Sequence, residues 1–192
     1  MKFINNVNET LRDDMAAEMK KGSKLSIAAA YFSIYAFEAL RKELSNIDEL
    51  RFIFTDPTFI QKENSKKEKR EFYIPKLNRE RGIYGTDFEV KLRNELNQKA
   101  IARECAAWVK NKAVFKSNVG NKDITDKFIL LDDKAYFPVN GFTTVDLGCE
   151  QGNNMGTNIA KVASPMSLTL IEQFEKLWQN NEELKDVTDK VI

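Results

Sequence analysis

The sequence predicts an α/β fold built on a mixed β-sheet, and three observations predict it. Two short apolar runs, Lys24–Phe32 (KLSIAAAYF) and Leu50–Thr55 (LRFIFT), flank a helical pattern over Ile34–Leu44. Runs without polar alternation read as strands buried on both faces, and strand, helix, strand at this spacing implies a parallel pair with a right-handed crossover. Lys127–Leu131 and Lys134–Val139 are joined by Asp132-Asp133, the pattern of an antiparallel hairpin. Finally, two longer stretches, one from Thr86 to about Lys112 and one opening at Ser164-Pro165, carry apolar residues at helical intervals.

Each element has a local reason. A first helix is expected over Val7–Met19, stopped by Gly22. Ser33 is placed to cap the Ile34–Leu44 helix, whose Ala36, Phe37, Leu40 and Leu44 share one side. Asp56-Pro57 ends the second strand. Thr86-Asp87-Phe88-Glu89 is a capping box that starts the long helix. Its apolar positions Phe88, Leu92, Leu96, Ile101, Cys105 and Trp108 keep a slightly loose period, which predicts a bend near Asn97–Lys99. Val114-Phe115 continues as strand. In the hairpin, Pro138 consigns the second strand to an edge or to its own end. Phe142–Asn154 reads as a polar loop and Thr157–Ala163 as a last strand. Ser164-Pro165 supplies an N-cap and a first-turn proline for a helix with Leu170, Ile171, Phe174, Leu177 and Trp178 on one face. Glu182–Ile192 is helix-like and stops on Val191-Ile192 without a cap, which suggests a domain of a longer chain.

Length and composition support one domain over residues 1–192 with a real core. The net charge of +1 conceals a polarised chain: residues 62–122 hold 16 Lys or Arg against 8 Asp or Glu, and the remainder is acidic. This segment reads as a basic helical insertion. Cys105 and Cys149 have neither metal spacing nor a disulfide framework, and no run approaches the roughly 20 apolar residues of a membrane span. The expectation is a soluble cytoplasmic protein with no membrane partner and no cofactor. Trp108 and Trp178 lie on apolar faces and read as packing, as do Tyr31 and Phe32. Glu150 reads as a solvated loop residue.

The chemistry concentrates in Thr125–Asp133 (TDKFILLDD), where Lys127 and Asp132 have the spacing Lys-x4-Asp. A histidine at position 125 would complete His-x-Lys-x4-Asp, yet the chain contains none. With Thr125 at that point, Lys127 and Asp132 behind it, and Asn140 and Thr143 after the second strand, this region resembles a degenerate phospholipase D site. The stretches FEVKLRNELNQKAIARECAAWVKNKAVFKSN, NGFTTVDLG and FEKLW strengthen the likeness. Together they are similar to the phospholipase-D-like domain at the amino terminus of bacterial Swi/Snf-type helicases.

The resemblance implies a phospholipase-D-like mixed β-sheet flanked by helices on both faces. It implies a phosphodiesterase site in which an imidazole attacks phosphorus and a lysine neutralises a phosphate oxygen. A threonine hydroxyl without a base is a poor substitute for that imidazole. The expected function is therefore nucleic-acid binding, with DNA the favoured partner, in service of a helicase motor in the same longer chain. No Walker lysine motif occurs here, so any ATP site lies elsewhere. The expected phosphate contacts are Lys66, Lys67, Lys69, Arg70, Arg79, Arg81, Arg103, Lys110, Lys112 and Lys116. Tyr73, Tyr84 and Phe115 are the candidates for stacking on bases. Two alternatives stand beside this reading. One is a divergent nuclease that builds its site across a homodimer, with threonine or metal-bound water replacing the imidazole. The other is a structural dimerisation module.

Overall fold

The computed structural model describes residues 1–56, 95–120, 122–151 and 157–192. Ten strands fall in these residues: β1 (Lys2–Ile4), β2 (Lys24–Ala29), β3 (Tyr31–Phe32), β4 (Glu49–Phe54), β5 (Ala113–Asn118), β6 (Phe128–Leu131), β7 (Lys134–Phe137), β8 (Gly141–Phe142), β9 (Ile159–Val162) and β10 (Leu184–Asp186). Six helical segments accompany them: α1 (Leu11–Glu18), α2 (Ile34–Ala39), α3 (Arg41–Leu44), α4 (Glu95–Lys112), α5 (Leu168–Gln179) and α6 (Thr188–Val191). Eight strands form one sheet in the order β1-β9-β7-β6-β2-β4-β5-β10, and β3 pairs with β8 in a second. Strands β2, β4 and β5 are parallel, and β6 runs antiparallel to β2 with Ala28 opposite Phe128. The βαβ unit and the hairpin are thus as their sequences predict.

Strand alternation divides the interior. Leu25, Ile27 and Ala29 of β2, Leu50, Phe52 and Phe54 of β4, and Ile129 and Leu131 of β6 point to one face, where α1 to α4 pack. Ala28, Ile53, Phe128, Leu130 and Ala135 point to the other, where Phe174 of α5 is fully buried. Helices therefore cover both faces. Arg51 faces α5 from mid-sheet, donating to Glu175 Oε1 at 2.6 Å and Ser26 Oγ at 3.1 Å, with its guanidinium against the Phe174 and Trp178 rings.

Several expectations are corrected. The first helix begins at Leu11, because Thr10 accepts from the Asp13 amide as its cap. The apolar run after Lys24 is divided: β2 ends at Ala29 and Tyr31-Phe32 pairs with β8 instead. The second helix is broken at Leu40. Helix α4 passes unbroken through Asn97–Lys99 and buries Ile101, Cys105 and Val109, while its expected beginning at Thr86 lies outside the described residues. Of the two places open to Pro138, an edge strand or a strand end, it takes the second: β7 is internal, between β6 and β9, with Pro138 just past its end. Ser164-Pro165 forms a turn, and the last long helix starts at Leu168. The segment from Glu182 to Ile192 is strand β10 followed by the short α6, because Lys185 and Asp186 pair with Ser117 and Lys116 at the sheet edge.

One polar network crosses from α1 to the β9 and β7 side of the sheet. Asp14, almost wholly buried, accepts from the Tyr136 hydroxyl at 2.7 Å and pairs with Lys161 at 2.7 Å and Lys2 at 3.0 Å. Lys161 also pairs with Glu18 at 2.7 Å, and Lys134 reaches Glu18 at 3.3 Å. Burial pushes the Asp14 carboxyl up, but Lys161, the Tyr136 hydroxyl and Lys2 outweigh it and hold it below the ordinary value. The Lys161 ammonium likewise holds Glu18 down.

Candidate functional site

A parallel sheet presents the carboxyl ends of its strands as a crevice, where loops converge and ligands bind. Because β6 is antiparallel to β2, the start of β6 lies at that same end. The segment 125–127 leading into β6 and the segment 138–140 leaving β7 therefore meet there. Val139 donates its amide to the Lys127 carbonyl at 3.0 Å, and Ala30, just past β2, donates to the Asn140 carbonyl at 2.9 Å. These bonds fix the backbone on which the side chains stand.

The result is a cleft of about 480 Å³ lined by Thr125, Asp126, Lys127, Phe128, Phe137, Pro138, Asn140 and Leu170. Thr125 and Asn140 are exposed and Lys127 is half-buried. Among the described residues none of these three side chains forms a hydrogen bond or ion pair. A lysine, a hydroxyl and a carboxamide with free donors are suited to the oxygens of a phosphate group. Three of the five residues expected from the motif are thus brought together.

The other two are engaged elsewhere. Asp132 occupies the turn at the far end of β6, with φ of 52°, and accepts from the Ser23 hydroxyl at 2.8 Å and the Lys24 amide at 2.9 Å. It ties the hairpin to the start of β2. Thr143 is buried, donates to Asp146 Oδ2 at 2.6 Å and accepts from the Asp146 amide at 3.1 Å, closing its own loop. Asp146 was not legible as a site residue in the sequence; its carboxyl is pushed up to about 6 by burial, against weaker pulls from Thr143 and the Gly141 backbone. A Cβ at Gly141 would meet Asp146 Oδ2 at 3.0 Å and the Tyr31 Cβ at 3.1 Å, so a larger residue there would have to push these neighbours back by a few tenths of an ångström.

The expected phosphate contacts divide in the same way. Lys66, Lys67, Lys69, Arg70, Arg79 and Arg81 lie outside the described residues, as do Tyr73 and Tyr84. Arg103 and Lys110 are exposed and, seven residues apart, share one face of α4. Lys112 instead donates to the Ser45 and Ile47 carbonyls, both at 2.7 Å. Lys116 donates to the Trp178 carbonyl at 2.8 Å and lies 4.4 Å from that ring's centroid. Both lysines hold the fold together. Phe115 is fully buried among Phe32, Phe52 and Phe54, so it stacks on core rings and not on bases. Trp108 donates to the Leu44 carbonyl at 3.1 Å and packs on Phe37. Glu150 accepts from Thr144 at 3.3 Å.

Topology also separates the α4 cations from the cleft. Strand β5 follows α4 directly and runs parallel to β2, so Lys110 and Lys112 lie at the end of the sheet opposite Lys127. At about 1.5 Å per residue the 18-residue helix is roughly 27 Å long. Among the described residues no three His, Cys, Asp or Glu side chains are grouped as metal ligands, and no helix is long and apolar enough to cross a membrane.

A mixed sheet flanked by helices, with the lysine strand delivering its start to the carboxyl-end crevice, is a phospholipase-D-like fold. Among solved structures the chain is similar to phosphatidylserine synthase of Haemophilus influenzae Rd KW20, at 13% identity and a TM-score of 0.52. The match covers 97% of this chain, which spans only 39% of the neighbour. No protein-family model matches the sequence, and no curated protein does.

Proposed function

We propose that this chain binds a phosphate ester, with nucleic acid the favoured source, in the Lys127 cleft and does not hydrolyse it by the imidazole route. The observation that carries the reading is Lys127, grouped with Thr125 and Asn140 and without a side-chain partner among the described residues, in a chain with no histidine. Anchoring the phosphate needs the lysine, whereas turnover needs a nucleophile that both attacks and leaves. The basic excess of residues 62–122 supports nucleic acid, and the exposed Arg103 and Lys110 are among its described members. The stretches within Phe88–Asn118, Asn140–Gly148 and Phe174–Trp178 support a role as accessory to an ATP-driven helicase motor in a longer chain.

Binding of fluorescent single-stranded and duplex DNA and RNA, titrated against salt, tests this. The expected result is sequence-tolerant binding that weakens with salt and weakens about tenfold or more in Lys127→Ala, the loss of one charge-assisted contact. No binding at low salt refutes the proposal. A second reading, slow hydrolysis, is favoured by one observation: the exposed Thr125 hydroxyl shares the cleft with Lys127. Turnover of bis(p-nitrophenyl) phosphate that vanishes in both Thr125→Val and Lys127→Ala would replace the first reading with this one.

A further inference from the structure

Resting on the phosphate-ester reading, the rest of the cleft lining indicates what the phosphate is attached to. Asp126 precedes Lys127 in the chain and lines the same cleft, bringing a negative charge to it, which is a poor arrangement for a bare phosphate. Asp126 is exposed; its Oδ2 accepts from Gln173 Nε2 of α5 at 2.9 Å, which orients the carboxylate, while Oδ1 has no partner among the described residues. An ionised carboxylate is an acceptor only, and the part of a ligand that it suits is one presenting N–H donors. Beside it, the Phe137 and Pro138 rings and Leu170 form an apolar wall. Wall, acceptor and cation suit three different parts of one ligand.

We propose that the cleft takes a single unpaired nucleotide whose base offers two adjacent N–H donors, which among the natural bases is guanine. Lys127, Thr125 and Asn140 hold the phosphate, Phe137, Pro138 and Leu170 cover the ring, and Asp126 accepts from the ring N–H and the exocyclic amine. The volume of about 480 Å³ falls in the range of about 300–1,000 Å³ typical of small-molecule sites. A base inside a duplex would have to leave its stack at a cost that an unpaired or terminal base escapes.

Calorimetric titration of the full chain with GMP, IMP, AMP, phosphoethanolamine and inorganic phosphate tests the assignment. GMP is expected to bind about tenfold or more tighter than AMP, with IMP, which keeps only one donor, between them. Asp126→Asn, which keeps an acceptor for Gln173 and is checked for folding by its melting temperature, should bring the ratio of GMP to AMP affinity to about one, whatever the loss of its charge does to both affinities together. Lys127→Ala should weaken all nucleotides alike. Equal binding of GMP and AMP, or a preference that survives Asp126→Asn, overturns the base assignment; the phosphate reading then stands if Lys127→Ala still weakens binding. Phosphoethanolamine binding as tightly as GMP also overturns it, since a bare amine would suffice. Failure of every ligand to bind overturns both.

Discussion

Replacing Asp14 with alanine removes the one carboxylate on which three donors from three parts of the chain converge. Tyr136 from β7 donates at 2.7 Å, Lys161 from β9 pairs at 2.7 Å, and Lys2 from β1 pairs at 3.0 Å. The partners are not equivalent. The Lys2 side chain is 45% exposed, so water and salt reduce its pair to well under about 1 kcal/mol. Lys161 is 14% exposed and the Tyr136 hydroxyl is buried; in the variant Tyr136 loses its acceptor and Lys161 one of its two carboxylates. Breaking a buried pair from one side costs about 3–5 kcal/mol, most of it for the group left behind. Glu18 still pairs with Lys161 at 2.7 Å, which places Asp14→Ala at the lower end, about 3 kcal/mol. For a chain of this length that corresponds to a fall in Tm of roughly 10 °C. Thermal unfolding followed by circular dichroism at neutral pH gives the comparison, with Lys2→Ala as the control expected within about 1 kcal/mol of the parent. A melting temperature for Asp14→Ala indistinguishable from that of Lys2→Ala would refute the argument that burial makes this network count.

The same network gives the stability a pH dependence of fixed sign. Asp14 and Glu18 are held below their ordinary values of 3.8 and 4.5, so their contribution is complete above about pH 4.5 and is lost as pH falls through the folded values; acid titration of the melting temperature should be flatter in Asp14→Ala. Lys112→Met and Lys116→Met should lower the melting temperature while changing DNA affinity less than Lys127→Ala does, and the reverse order in a binding assay would restore the two lysines as phosphate contacts. The Cys105 thiol is pushed up to about 12 by burial and Cys149 is exposed, so a thiol reagent at neutral pH should label one cysteine in the native protein and two after denaturation. Carbon-detected NMR should find the carboxyl of the half-buried Asp146 titrating near 6, and an ordinary carboxylate value would refute desolvation as what governs it.

The parts of this protein that depend on neighbours in the chain were legible in its sequence. The parallel pair β2 and β4, the hairpin turning at Asp132, and the α5 face of Leu170, Ile171, Phe174, Leu177 and Trp178 all follow from residue spacing, because alternation and helical period are local properties. The grouping of Thr125, Lys127 and Asn140 was legible for the same reason, since one hairpin carries them all. The roles of individual polar side chains were decided by the tertiary structure. Lys110 and Lys112 look alike in sequence, yet two carbonyls of the α3–β4 connection capture Lys112 and leave Lys110 exposed. Thr143 and Asn140 are equally polar, but Asp146 captures the threonine hydroxyl. Residue type fixes what a side chain is able to bond; which groups lie within about 3 Å is set by how the backbone folds, within one loop for Thr143 and across segments more than sixty residues apart for Lys112. That is why the sequence could group Lys127 with Thr125 and Asn140, while only the fold brought Gln173 and Leu170 of α5 against the same cleft.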